Sequence, residues 1–172
     1  MGYAGGDKDN PTYHNLGNHT ETFQVDFDPE KISYEELLTI FWSNHSPENR
    51  PFSRQYMSMI FYHNEEQKAL AEQSKQELEA QTNNEFYTEI RPLDKFYLAE
   101  NYHQKYYLQN RTKLLYEVQK YYSEFQEIID SPTAAKLNGY IANFGDKDQL
   151  EKDLPNLGLS PKGEKRLNSL VD

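Results

Sequence analysis

GYAGGDKDNPTYHNLGNHTE, residues 2–21, reads as a series of tight turns running into a strand. Gly5-Gly6 open backbone angles closed to residues with a Cβ, Asn10-Pro11 starts a turn and Gly17-Asn18 makes another, so the chain folds back on itself within a short distance. Tyr13, His19 and Glu21 ride on that scaffold. A phenol, an imidazole and a carboxylate on a folded loop that leads into a strand form a candidate proton-handling site. By residue type alone, a plain surface loop with ordinary polar side chains is the better-supported reading.

Outward from this stretch, residues 21–28 (ETFQVDFD) alternate, with Phe23, Val25 and Phe27 on one face, and predict a half-buried strand. Ser33 followed by Glu36 has the spacing of a capping box. It opens a helix that carries Leu37, Leu38, Ile40, Phe41 and Trp42 and stops before Asn44-His45-Ser46-Pro47. Residues 55–62 (QYMSMIFY) predict a second strand, apolar on both faces and therefore interior. Asn64 caps a long, sparsely apolar helix with Leu70 and Leu78 on its stripe, and residues 86–91 (FYTEIR) predict a third strand. From about Ala99 the chain reads as helical, with His103 on one face with Ala99 and Tyr106. Beyond Thr112 it is mostly helical, with breaks at Ser131-Pro132 and Gly145 and short helices at 147–153 and 160–170. The division is a domain over 1–110 and a helical extension over 111–172.

Composition limits the partners. With 28 acidic and 18 basic residues the net charge is -10, which argues against nucleic acid and anionic membrane, because phosphate binding needs clustered Lys and Arg. No apolar run approaches a membrane span and the first residues lack a secretory pattern, so a cytoplasmic protein is expected. There is no cysteine, hence no disulfide, thiolate metal site or cysteine nucleophile. The five histidines are scattered, and neither a metal nor a bound cofactor is expected. The 14 Tyr and 9 Phe let a polar chain bury a core.

GYAGGDKDNPTY, GNHTE, FDPEKISYEELLTIFWSNH, RQYMSMIFYHNEEQKAL and TEIRPLDKFYLAENYHQKY, taken in that order, resemble the peptide methionine sulfoxide reductase A family over about residues 2–109. The tail, with SPTAAKLNGYIANFG, resembles the longer extension of insect members. The resemblance implies an α+β fold, a mixed sheet packed by helices in a ferredoxin-like two-layer sandwich. It also implies reduction of methionine S-sulfoxide in proteins to methionine, with thioredoxin or another thiol as reductant and oxidised-methionine peptides as partners.

The residue roles implied by the resemblance are Glu21 as general acid, with a pKa raised by burial among aromatic rings, and Tyr13 and Tyr56 as hydrogen-bond donors to the sulfoxide oxygen. His19 and His103 are similar to supporting positions. Three features depart from the family pattern. The family's nucleophile lies in a Gly-Cys-Phe-Trp motif upstream of Gly-Tyr-Ala-Gly-Gly, where this sequence begins, so the nucleophile, a central strand and the first helix are expected to be missing. Marginal stability is expected to follow. Tyr13 and His19 are only six residues apart, and residues 47–54 replace a loop that carries an acidic residue in the family. The leading expectation is a family member without turnover as written. The alternative is a noncatalytic binding module with a Tyr-rich helical tail.

Overall fold

The structure is a computed structural model that describes residues 1–171. Chain contacts divide it into two units, Met1–Ala99 and Glu100–Asp172. In the first, β1 (Gly2–Ala4), β2 (Thr20–Thr22), α1 (Tyr34–Ser43), β3 (Met59–Tyr62), α2 (Glu65–Thr82), β4 (Glu89–Pro92) and β5 (Phe96–Leu98) follow one another. Helices and a mixed set of small sheets make the fold α+β.

The opening stretch is not all turn. Gly2–Ala4 is a wholly buried strand at the centre of a three-stranded antiparallel sheet ordered β2-β1-β5, with Tyr3 opposite Glu21 on one edge and Tyr97 on the other. Three residues give no readable period of two, so only pairing on both sides reveals the strand. The short β1 also limits its neighbour. The strand expected over residues 21–28 is laddered only at Thr20–Thr22, and beyond it Phe23 and Val25 are exposed.

β3 and β4 form a separate parallel pair with Met59 opposite Glu89 and Tyr62 opposite Pro92. The second predicted strand is therefore shorter than its apolar run, because Arg54–Tyr56 wind into a 3-10 turn. β3 is also not interior: among the described residues it has one strand neighbour. The third expected strand begins at Glu89 rather than Phe86, and Phe86 instead joins Leu38, Trp42, Ile60 and Ala71 in the core beneath α1 and α2.

The helix starts follow local chemistry. Ser33 accepts from the Glu36 N–H at 3.1 Å while the Glu36 carboxylate accepts from the Ser33 N–H at 2.7 Å, closing the capping box. Asn64 caps α2 through the Gln67 N–H at 2.8 Å. Leu38 and Trp42, four apart, are the residues of α1 that are fully buried, whereas Ile40 on the opposite side is exposed.

The second unit is helical, with α3 (Tyr106–Gln109), α4 (Thr112–Gln119), α5 (Phe125–Asp130), α6 (Pro132–Ile141), α7 (Lys147–Asp153) and α8 (Pro161–Asn168). The helix expected from about Ala99 does not form. Asn101–His103 is a 3-10 turn and Lys105 takes a left-handed conformation (φ 45°), so the face shared by His103, Ala99 and Tyr106 is absent. Leu108, Leu114, Val118, Leu137, Leu150 and Leu167 make the apolar core of this unit. No helix of the described residues is long and apolar enough to cross a membrane.

One carboxylate inside this unit is ionic and buried. Glu117 on α4 accepts from Lys120 Nζ at 2.9 Å, Ser160 Oγ at 2.8 Å and the Ser160 N–H at 3.2 Å, tying α4 to the N-terminus of α8. The Lys120 and Ser160 hydrogen bonds hold its carboxyl at about 2, below the ordinary 4.5. A carboxyl depressed in the folded state stabilises the fold fully above its unfolded value and loses that contribution as pH falls toward the folded value. Urea unfolding should therefore show a loss on the order of 3 kcal/mol between about pH 5 and pH 2 that Glu117→Gln largely removes. A parallel pH dependence in the variant would show that Glu117 is not its source.

Candidate functional site

Residues 5–19 are held by side chains bonded to backbone, because they have almost no ladder of their own. His19, buried at the loop's end, accepts the Gly6 N–H at Nδ1 (3.1 Å) and donates from Nε2 to the Lys8 carbonyl (2.8 Å), which assigns the neutral Nε2–H tautomer. Its ring meets Tyr97 of β5 edge-on at 5.4 Å. Tyr97 in turn donates to Asp9 at 2.9 Å. That bond, with the Lys95 ammonium beside it, holds the Asp9 carboxyl below its usual range. Asn18 Oδ1 accepts the Asp7 N–H at 2.8 Å and its amide donates to Asp7 Oδ2 at 3.0 Å. The result is a closed loop with His19 as its buried clasp.

Arg54, in the 3-10 turn, pins this loop from outside. Its Nε donates to the Asn18 carbonyl and its Nη2 to the Gly5 carbonyl, both at 3.2 Å, while its own carbonyl accepts from Thr20 Oγ1 at 3.0 Å. Gly5 takes φ +76° with the Phe61 ring packed against its α-carbon, a position that a Cβ would occupy. The loop is thus fixed to the turn that carries Gln55 and Tyr56.

On this frame three of the predicted site residues meet. Tyr13 sits at the tip of a tight turn closed by the Asn15 N–H to Thr12 carbonyl bond at 2.9 Å. It is half-buried and hydrogen-bonded to Tyr56. That bond, the neighbouring Tyr13 phenol and the Glu21 carboxylate push the Tyr56 phenol above its ordinary value. Tyr56 therefore keeps its proton through neutral pH and remains a donor. Glu21 is half-buried rather than enclosed by aromatic rings, and its Oε1 accepts from Gln55 Nε2 at 2.6 Å. That amide bond fixes the orientation of the carboxyl. A phenol pair whose mutual bond uses one of its two hydroxyl hydrogens leaves one to donate, and with a carboxyl beside it such a pair can bind and protonate a polarised oxygen.

The histidines divide. His19 is a component of the loop's hydrogen bonding. His103 belongs to the second unit, its ring tilted by 41° against that of Tyr102 with centroids 4.2 Å apart. Sequence reasoning passed over Gln55 as a functional group and Arg54 altogether. Their adjacency to Tyr56 was the available signal, but their partners lie more than thirty positions away. No group of three or more His, Cys, Asp or Glu among the described residues is placed to hold a metal.

The family model for peptide methionine sulfoxide reductase matches residues 1–136. The chain is similar to a Drosophila melanogaster peptide methionine sulfoxide reductase, 44% identical over 163 residues that cover 94% of this chain and 65% of the relative. It is also similar to a Saccharolobus solfataricus peptide methionine sulfoxide reductase, 33% identical with 88% of this chain and 83% of the relative covered. Among solved structures, methionine sulfoxide reductase A of Corynebacterium diphtheriae superposes with a TM-score of 0.54 at 29% identity, covering 64% of this chain and 62% of that one. The chain spans about two thirds of the length of the first curated relatives, 65% and 64%.

The loop's close packing is testable at Gly6. A Cβ there would lie 2.6 Å from both Asn18 Oδ1 and the His19 nitrogen, inside the clasp. Gly6→Ala should lower the thermal midpoint by roughly 3–10 °C, equivalent to about 1–3 kcal/mol. Gly139→Ala, on α6 with nothing within 4 Å of the new methyl, should leave the midpoint unchanged or raise it slightly. Circular dichroism melts of the two variants side by side give the comparison.

Proposed function

Because the chain belongs to the peptide methionine sulfoxide reductase family, we propose that the face formed by Tyr13, Tyr56 and Glu21 binds the sulfoxide group of oxidised methionine in peptides and proteins and supplies its proton. The observation that supports this reading is that the turn carrying Tyr56 reaches both other groups, Tyr56 through its bond to Tyr13 and Gln55 through its bond to the Glu21 carboxylate. The sulfoxide oxygen carries negative charge that grows as sulfur is attacked, so the phenolic hydrogen that the Tyr13–Tyr56 bond leaves over favours the developing state over the ground state. Glu21 supplies the proton to that oxygen as the S–O bond breaks, and the Gln55 bond to Oε1 sets the orientation of its carboxyl.

Reduction further requires a thiolate that attacks the sulfoxide sulfur and takes its oxygen, leaving methionine and a sulfenic acid that thiols recycle. The 172-residue chain has no cysteine. Ser and Tyr are far weaker nucleophiles toward sulfur, and their products could not be recycled by thiol exchange. The reading therefore assigns this polypeptide the recognition and acid half of the chemistry, with the thiol supplied from outside it. Thioredoxin as reductant and a cytoplasmic setting belong to the same proposal and rest on its thiol chemistry.

Titration of the purified chain with N-acetyl-methionine amide S-sulfoxide should shift the ring resonances of Tyr13 and Tyr56. Removing one hydroxyl, in Tyr13→Phe or Tyr56→Phe, should weaken binding about fivefold. An unshifted spectrum at saturating ligand would refute the site. With dithiothreitol and an S-sulfoxide peptide, methionine formation should not exceed that of a Glu21→Gln control, and clear turnover above it would sink the assignment of an incomplete catalytic set.

A further inference from the structure

The chain has three methionines, Met1, Met57 and Met59, and the environments of the two internal ones differ in a way that concerns sulfur chemistry. Met57 closes the 3-10 turn and is half-buried, and its Sδ lies 3.1 Å from Arg54 Nη1. Met59 Sδ lies 3.3 Å from Thr20 Oγ1, but that hydroxyl has one hydrogen and also faces the Arg54 carbonyl at 3.0 Å, the stronger acceptor. Nη1 carries two hydrogens, and its other neighbour is Glu89 Oε2 at 3.6 Å. Met57 therefore has a charged donor of its own, whereas Met59 shares a neutral one.

A thioether is a weak acceptor and uses little of what a guanidinium offers. A sulfoxide oxygen is a strong, partly negative acceptor, and the bond to it becomes charge-assisted. The unbranched Met side chain has the rotatable bonds needed to present such an oxygen to Nη1. We propose that Met57 is an oxidation site for small hydroperoxides and that Arg54 holds its sulfoxide, so that oxidation is accommodated without unfolding the loop. In the reaction a sulfur lone pair attacks one peroxide oxygen. The S–O bond forms as the O–O bond breaks, sulfur is oxidised by two electrons and the peroxide is reduced. The departing hydroxide takes the proton of the transferred hydroxyl and leaves as water.

The remaining guanidinium hydrogens continue to hold the Gly5 and Asn18 carbonyls, so the modified side chain stays coupled to the loop that bears Tyr13. The inference does not require the face at Glu21 to bind or turn over anything, and its test is independent of that reading.

The purified chain is titrated with hydrogen peroxide, and its peptides are mapped by mass. Met57 should gain one oxygen at doses that oxidise the exposed Met1, and the oxidised chain should keep a cooperative melt with its midpoint within about 3 °C of the untreated protein. Met57→Gln, which offers a carbonyl oxygen to Arg54, should melt at or above Met57→Leu, which offers none. A Met57 that stays reduced after Met1 is fully oxidised, a chain that loses its cooperative melt once Met57 carries oxygen, or a Met57→Gln midpoint more than about 3 °C below that of Met57→Leu would each overturn the proposal.

Discussion

Gly2–Ala4 pairs on both edges, with Thr20–Thr22 on one side and Phe96–Leu98 on the other, and this short ladder draws together segments more than ninety positions apart. Gly2 has no room for a side chain, since a Cβ would lie 2.4 Å from the Tyr97 carbonyl and 2.2 Å from the Phe96 ring. Tyr3 and Ala4 are buried without exposed atoms of consequence. The ladder sets Glu21 across from Tyr3, and it brings Tyr97 beside His19 and Asp9. Everything said of the candidate site presupposes that pairing.

What the ladder does not reach is held by polar side chains closing on backbone. His19 spans Gly6 and Lys8, Asn18 spans Asp7, and Arg54 spans Gly5 and Asn18. A loop fixed this way is specified by geometry rather than by apolar area, and losing His19 would leave the part-buried Gly6 N–H and Lys8 carbonyl without that partner. The second unit is held differently. Its leucines form a continuous apolar cluster, and its buried Glu117 carboxylate is paired with Lys120 and Ser160. The candidate site thus lies in the unit whose apolar residues fall in two smaller clusters.

The groups gathered at Glu21 are donors and an acid. Such a set stabilises charge that develops on oxygen, but it cannot attack sulfur. The proposed division between recognition with proton supply and nucleophilic attack rests on the residue types present, because the chain holds no thiol at all. The same surroundings place a guanidinium on the sulfur of Met57, so the polar clamps that order the loop are also what an oxidised sulfur would meet.

By itself the sequence determined the features set by neighbours a few residues apart. The Ser33–Glu36 box, the Asn64 cap and the Ser160-Pro161 helix start depend on local spacing, and each appears where it was read, whereas of the apolar set 37–42 Leu38 and Trp42 are buried and Ile40 is exposed. The order of motifs along the chain likewise sufficed to indicate the family. Only the tertiary structure decided that Gly2–Ala4 is a strand and that residues 23–28 are not, because a ladder needs a partner and the partner is distant in sequence. It also decided the contacts of Arg54 and Gln55, which lie thirty-four or more positions from Thr20, Glu21, Asn18 and Gly5. Side-chain period reports which face is apolar, whereas hydrogen bonds over such separations are selected by the packing of the whole unit, and no local pattern encodes them.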